Sequence, residues 1–67
     1  MNIGHNLKKL RKIKNLTQDE VAKVLNISRQ AYCRYENDQR ELSLSALCLL
    51  ADLFEETTDA ILGREPI

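Results

Sequence analysis

The sequence has no tryptophan, one proline, two glycines and one histidine among 67 residues. So little glycine and proline leaves few turns for a β architecture, and no β-branched alternation suggests a strand. Two cysteines, Cys33 and Cys48, are too sparse for a disulfide scaffold and are not spaced as a metal pair. They read as reduced thiols, with Cys48 as core filler. With His5 as the lone imidazole, a structural zinc site lacks ligands. No metal and no cofactor are expected. No apolar run reaches the roughly 18 residues a membrane helix needs. The longest, Leu42 to Phe54, is interrupted by Ser43, Ser45 and Asp52. The opening MNIGHNLKKLRK lacks the apolar segment of a secretory signal. A cytoplasmic protein with no membrane contact is expected. No nucleophile–base pair, metal cluster or phosphate loop stands out, so an enzyme is not expected.

Net charge is absent too, but its distribution is uneven. Up to residue 43 there are nine basic residues against five acidic; from residue 44 on there is one against five. Such a chain can offer a basic face to phosphates and keep an acidic end away from them. Two solvated faces with no partner are the plainer alternative.

What is present is helical periodicity, enough for one domain spanning 1–67. The first helix is expected from Ile3 to Lys14, with Ile3, Leu7 and Leu10 on one face and Lys8, Lys9 and Lys12 outward. Asn15 stops it. Thr17, with Glu20 three residues on, spells a capping box for a second helix with Val21, Ala22 and Leu25 inward. Asn26 suits the left-handed turn that ends it. Ser28 caps a third helix from Arg29 to about Asn37. Ser43 caps a fourth, whose Leu44, Leu47, Leu50, Ala51 and Phe54 form the largest apolar stripe. Thr57 caps a short fifth helix carrying Ile61 and Leu62, and Gly63 ends it. The fold class is therefore all-α, a compact five-helix bundle.

The informative spacing lies between helices two and three. Only Asn26-Ile27-Ser28 separates them, which is a helix-turn-helix arrangement. So short a turn forces a steep crossing. Ala22 is small at the crossing, Ile27 plugs the turn, and Tyr32 and Tyr35 anchor the third helix from beneath. Its other face holds Arg29, Gln30, Cys33 and Arg34. An α-helix fits the major groove, where Arg can take guanine O6 and N7 and Gln can pair with adenine N6 and N7. Helix N-termini near Thr17, Gln18 and Ser28 offer N–H groups to phosphate oxygens.

The run LTQDEVAKVLNISRQAYCRYEND, with Leu10-Arg11 before it and SLSALCLLADLF after it, resembles the Cro/cI-type helix-turn-helix family, also called the XRE family. The resemblance extends from Ile3-Gly4 to Gly63. It implies a lambda-repressor-like domain that binds double-stranded DNA and regulates transcription. It implies base contacts at Arg29, Gln30 and Arg34, with Cys33 beside them. It implies phosphate contacts at Gln18, Asn37 and Arg40, alongside Thr17 and Ser28 at the helix ends. Residues matching Arg11 and Glu36 often form an ion pair between helices one and three. Two positions depart from the family pattern. The glycine usual after Glu-Asn is Asp38, and the proline usual before the fourth helix is Leu42. Asp38 is expected to preserve the helix stop. Leu42 either loosens the loop or adds an apolar contact.

Members of this family usually act as dimers, so a homodimer is expected, on a pseudo-palindromic operator with half-sites about 10 base pairs apart. Leu49, Leu53, Thr58, Ala60 and Ile61 are candidates for its two-fold contact. Repression is the expected outcome, and no small-molecule ligand is expected. The alternative is an antitoxin or other protein-interaction module on the same fold. The lack of an extra segment to wrap a partner weighs against that.

Overall fold

Each helix begins where a side chain can satisfy its first backbone N–H groups, with one exception. The computed structural model describes residues 3–65. They form α1 (Gly4–Ile13), α2 (Gln18–Leu25), α3 (Arg29–Glu36), α4 (Leu44–Phe54) and α5 (Thr58–Leu62). Thr17, Ser28, Ser43 and Thr57 are the N-caps of α2 to α5, and each hydroxyl accepts from the N–H three residues on. At α2 the box is complete, because Glu20 returns a carboxylate oxygen to the Thr17 N–H at 2.9 Å. The exception is α1, whose N-cap is Ile3 and has no side-chain acceptor. Its first N–H is met from across the fold: Gly4 N donates to Asp38 Oδ1 at 2.8 Å.

The stops follow the expected chemistry. Asn26 (φ 58), Gly63 (φ 79), Asn15 (φ 57) and Asp38 (φ 57) all take left-handed backbone. Glu55 does so after α4, at φ 54, where no special residue marked the end. The helices α1 and α3 are each about a residue shorter at one or both ends than the sequence pattern suggested. Terminal turns fray, and the pattern carries no cap that fixes them closely.

The core gathers Ile3, Leu7 and Leu10 from α1, Val21 and Ala22 from α2, and Tyr32 and Tyr35 from α3. The helices α4 and α5 add Leu50, Ala51, Phe54 and Ile61. Gly4 permits a close backbone approach. A Cβ built there would lie 2.1 Å from the Glu36 carbonyl oxygen. Glycine at this point lets the start of α1 rest on the end of α3. In the same first turn of α1, Asn6 Nδ2 donates to the Ile61 carbonyl at 3.1 Å, tying α1 to α5.

Three core assignments are corrected. Leu44 is 82% exposed at the first position of α4, ahead of the turns that pack on the core. The buried stripe of α4 is instead Ala46, Leu50, Ala51 and Phe54, with Leu47 half-buried. Cys48 is exposed on α4, not core filler. Ala60 and Ile61 have no exposure at all, so their side chains serve the chain's own core and cannot form a contact between copies. Leu42 settles its own alternative: it is half-buried and packs on the core, an apolar contact in place of proline.

Candidate nucleic-acid interface

The turn between α2 and α3 is built by backbone geometry first. Asn26 in left-handed conformation reverses the chain, and Ile27 N donates to the Ala22 carbonyl at 3.0 Å. Ser28 Oγ then accepts from Ala31 N at 3.1 Å and starts α3. Val21 and Ala22 are buried at the crossing, so the two helices lie on one another without a gap. The Tyr32 and Tyr35 rings meet edge to face, centroids 6.4 Å apart, and fix the inner side of α3.

That packing decides what α3 can present. Arg29, Gln30 and Arg34 are exposed and Cys33 is half-buried beside them. At about 100° per residue these four positions fall within an arc of about 140°. Among the described residues, no hydrogen bond or ion pair engages the side chains of Arg29, Gln30 or Arg34. Two guanidinium groups and an amide therefore stand unspent on the outer face.

The inner end of α3 is held by a buried charge cluster. Glu36 is the buried acidic residue of the helix, its side chain 2% exposed. Arg11 Nε donates to its Oε2 at 2.7 Å and Nη2 to its Oε1 at 3.3 Å. Gln18 Nε2 also donates to Oε1, at 3.1 Å. A further Arg11 nitrogen, Nη1, donates to the Leu16 carbonyl at 2.9 Å. Burial alone raises the Glu36 pKa, but these donors and the Arg11 charge prevail and lower it. The same carboxylate raises the Arg11 pKa. Tyr32 is buried alongside, its hydroxyl without a hydrogen bond of good geometry. Burial, and then the neighbouring carboxylate, push the Tyr32 pKa far up, so the phenol stays neutral. The ion pair expected between helices one and three is present, and it is a three-helix junction rather than a pair.

The remaining site residues occupy the rim. Thr17 and Ser28 spend a lone pair on capping, yet their hydroxyl hydrogens remain to donate outward. The Gln18 amide is half committed to Glu36, which fixes its orientation at the start of α2. Asn37 is exposed at the end of α3, its Nδ2 turned toward Cys33 Sγ at 3.4 Å. Arg40 is exposed in the loop between α3 and α4. Leu49 is exposed on α4, and Leu53 and Thr58 are half-buried.

Sequence reasoning did not assign Asp38 its role. The sequence pattern makes this position a helix stop, and it is one, at φ 57. It is also the cap of α1, through the 2.8 Å contact to Gly4 N. The readable signal was the absence of any acceptor at Ile3, which calls for one supplied from elsewhere.

Comparison with known proteins agrees with this geometry. A helix-turn-helix family model matches residues 7–61. The regulator AnsR of Bacillus subtilis is 48% identical over 59 residues, covering 88% of this chain and 51% of AnsR. The regulator ImmR of the same organism is 34% identical over 67 residues, covering all of this chain and 53% of ImmR. The antitoxin PezA of Streptococcus pneumoniae is 36% identical over 63 residues, covering 94% of this chain and 40% of PezA. The chain thus spans about half the length, or less, of these relatives. It belongs to the XRE-type helix-turn-helix family of DNA-binding transcriptional regulators.

Proposed function

We propose that this chain is a sequence-specific regulator that inserts α3 into the major groove and represses transcription by occupying its operator. It works as one helix-turn-helix unit, in the cytoplasm, as a homodimer on a pseudo-palindromic site. The observation that carries this reading is the unspent face of α3. Arg29, Gln30 and Arg34 have no partner among the described residues, while Tyr32 and Tyr35 hold the helix from behind. Arg29 and Arg34 suit guanine, Gln30 suits adenine, and Cys33 suits an apolar contact such as a thymine methyl. Thr17, Gln18, Ser28, Asn37 and Arg40 surround this face as donors to phosphate. A dimer seated this way bars other proteins from the same stretch of groove.

Selection of bound duplexes from random DNA tests the reading directly. A two-fold related consensus with half-sites about 10 base pairs apart is expected. Arg29→Ala should cost about 1–3 kcal/mol on that consensus and relax it at one position. Selectivity that survives Arg29→Ala with Gln30→Ala overturns the reading. The likeness to an antitoxin supports a second one, in which the fold also holds a protein partner. Co-purification of a neighbouring gene's product at fixed stoichiometry is its signature.

A further inference from the structure

The lysines of the chain fall into two groups. Lys14 has Glu55 Oε1 at 3.5 Å, and Lys23 has Asp19 Oδ2 at 3.7 Å. Lys8, Lys9 and Lys12 are exposed on the outer side of α1 and have no carboxylate partner among the described residues. A solvated helix face is the ordinary account of such residues. Their positions around the helix set two of them apart. At about 100° per residue, Lys8 lies about 40° from Gly4, which rests on the end of α3, and Lys12 lies about 80° from it. Asn6, which ties α1 to α5, is about 160° from Lys8 and about 120° from Lys12. Lys9 is the reverse, about 60° from Asn6 and about 140° from Gly4. Lys8 and Lys12 therefore flank α3, and Lys9 flanks α5.

The flank toward α3 has a residue assigned to phosphate at each end. Near the start of α1, Gly4 N meets Asp38, the neighbour of Asn37. Near its end, Arg11 meets Glu36 together with Gln18. We infer that Lys8 and Lys12 bind two phosphates of the same duplex, so that α1 carries part of the phosphate track. This deepens the DNA reading above and rests on it. The two lysines are four residues apart, a rise of about 6 Å. Like charges at that spacing repel and destabilise an isolated helix. A phosphate strand laid across both turns the repulsion into attraction. The acids nearest this flank are already engaged, Glu36 by Arg11 and Gln18 and Asp38 by Gly4 N. The chain has no net charge, so attraction to DNA must come from cations placed locally. An acidic protein is the rival occupant, and the placement beside Gln18 and Asn37 favours DNA.

Fluorescence anisotropy of the selected duplex, over a range of salt concentrations, is the experiment. Lys8→Gln with Lys12→Gln is the test variant, and Lys9→Gln is the control. All three positions are exposed and glutamine is a comparable helix former, so circular dichroism and melting should match the wild type. The double variant should bind on the order of tenfold more weakly at about 0.1 M salt. Its slope of log affinity against log salt should be shallower by about 2, since each phosphate contact supplies about 0.9. Its base preferences should be unchanged, because phosphate contacts carry no sequence information. Lys9→Gln should keep the wild-type slope. A double variant with the wild-type slope overturns the inference. So does a slope reduced by Lys9→Gln as much as by Lys8→Gln alone, which shows a general loss of charge. An acidic protein whose binding needs Lys8 and Lys12, with the DNA slope unchanged, overturns it as well and gives the face to that partner. The two readings fail separately. Selective binding with an unchanged slope refutes this inference alone. A slope that falls in the double variant on duplexes the chain does not discriminate refutes the base-reading proposal alone.

Discussion

The two ends of this fold are oriented by different forces. From α1 to α3, polar contacts with direction set the geometry: Arg11 and Gln18 converge on Glu36, and Asp38 reaches back to Gly4. From α4 to α5, apolar packing predominates, with Leu50, Phe54, Ala60 and Ile61 fully buried. Apolar burial is roughly proportional to area and tolerates small rotations. A bidentate ion pair does not. The helix that must present side chains at fixed angles is the one locked by directional bonds. The helices that need only close the core are held by packing.

Breaking the charge cluster should have the largest effect. Arg11→Ala leaves the Glu36 carboxylate buried and uncompensated, a change that costs about 3–5 kcal/mol. For so short a chain that is a large part of total stability, and chemical denaturation should place the midpoint near zero denaturant. Replacing both partners, Arg11→Met with Glu36→Gln, should recover much of the loss, and the surplus over additivity measures the coupling. Acid should imitate the single change. The folded state holds Glu36 below its ordinary carboxylate value of 4.5. Its contribution is therefore complete above about pH 4.5 and disappears as pH falls through the lowered folded value. Glu36→Gln should flatten this part of the stability–pH curve. An unchanged acid limb shows that the cluster does not govern it.

Next in size is the contact that brings the start of α1 onto the end of α3. Gly4→Ala puts a Cβ 2.1 Å from the Glu36 carbonyl oxygen, with the carbonyl carbon at 2.6 Å. Backbone cannot yield as a flexible side chain does, so about 1–3 kcal/mol should be lost. The damage should extend to function, because α3 must shift to make room. Weaker binding of the selected duplex at a temperature where the variant is fully folded is the expected result. Gly63→Ala is the comparison in the apolar half. Among the described residues its Cβ would meet the Asn6 side chain alone, at 3.1 Å, but φ is 79°. Its cost should come from backbone strain, about 1 kcal/mol, with DNA binding untouched.

Asp38 should give a smaller, ordered series. It serves as both left-handed stop and cap. Asp38→Asn keeps an acceptor and tolerates the backbone, so it should match the wild type closely. Asp38→Gly relieves the backbone but loses the acceptor, and the two effects, each about 1 kcal/mol, should nearly cancel. Asp38→Ala loses the cap and keeps the strain, so it should be the worst of the three. Amide exchange at Gly4 separates the causes: it should accelerate in the Gly and Ala variants and not in the Asn variant.

These contrasts also explain what was legible in the sequence. Caps and stops are local signals, and Thr17, Asn26, Ser28, Ser43, Thr57 and Gly63 each took the role their chemistry suggested. The inner and outer faces of α3 followed from helical spacing. The cap from Asp38 to Gly4 was not legible, because it spans 34 positions and no periodicity connects its partners. Nor was the true face of α4. A helix that is apolar nearly all round gives spacing little contrast, so Leu44 and Cys48 fit an inward face as well as Leu50 does; on α5, five residues are too few for spacing to tell that Ala60 and Ile61 face the core. Where each element rests against its neighbours decided these, and that is a property of the assembled bundle.

The smallest expected effect is therefore the sharpest check on α4. Leu44→Ala and Cys48→Ser alter residues that a periodicity argument alone would bury. Both are exposed, so each should change monomer stability by no more than about 0.5 kcal/mol. Leu50→Ala, further along α4 and fully buried, should cost about 2–5 kcal/mol. Thermal melts at a concentration below any self-association isolate the monomer. If Cys48→Ser costs as much as a core change, α4 is rotated from the orientation described. If the two outward residues are neutral while Leu50 is not, α4 has one face committed to the core, and Leu44 and Cys48 lie outside it.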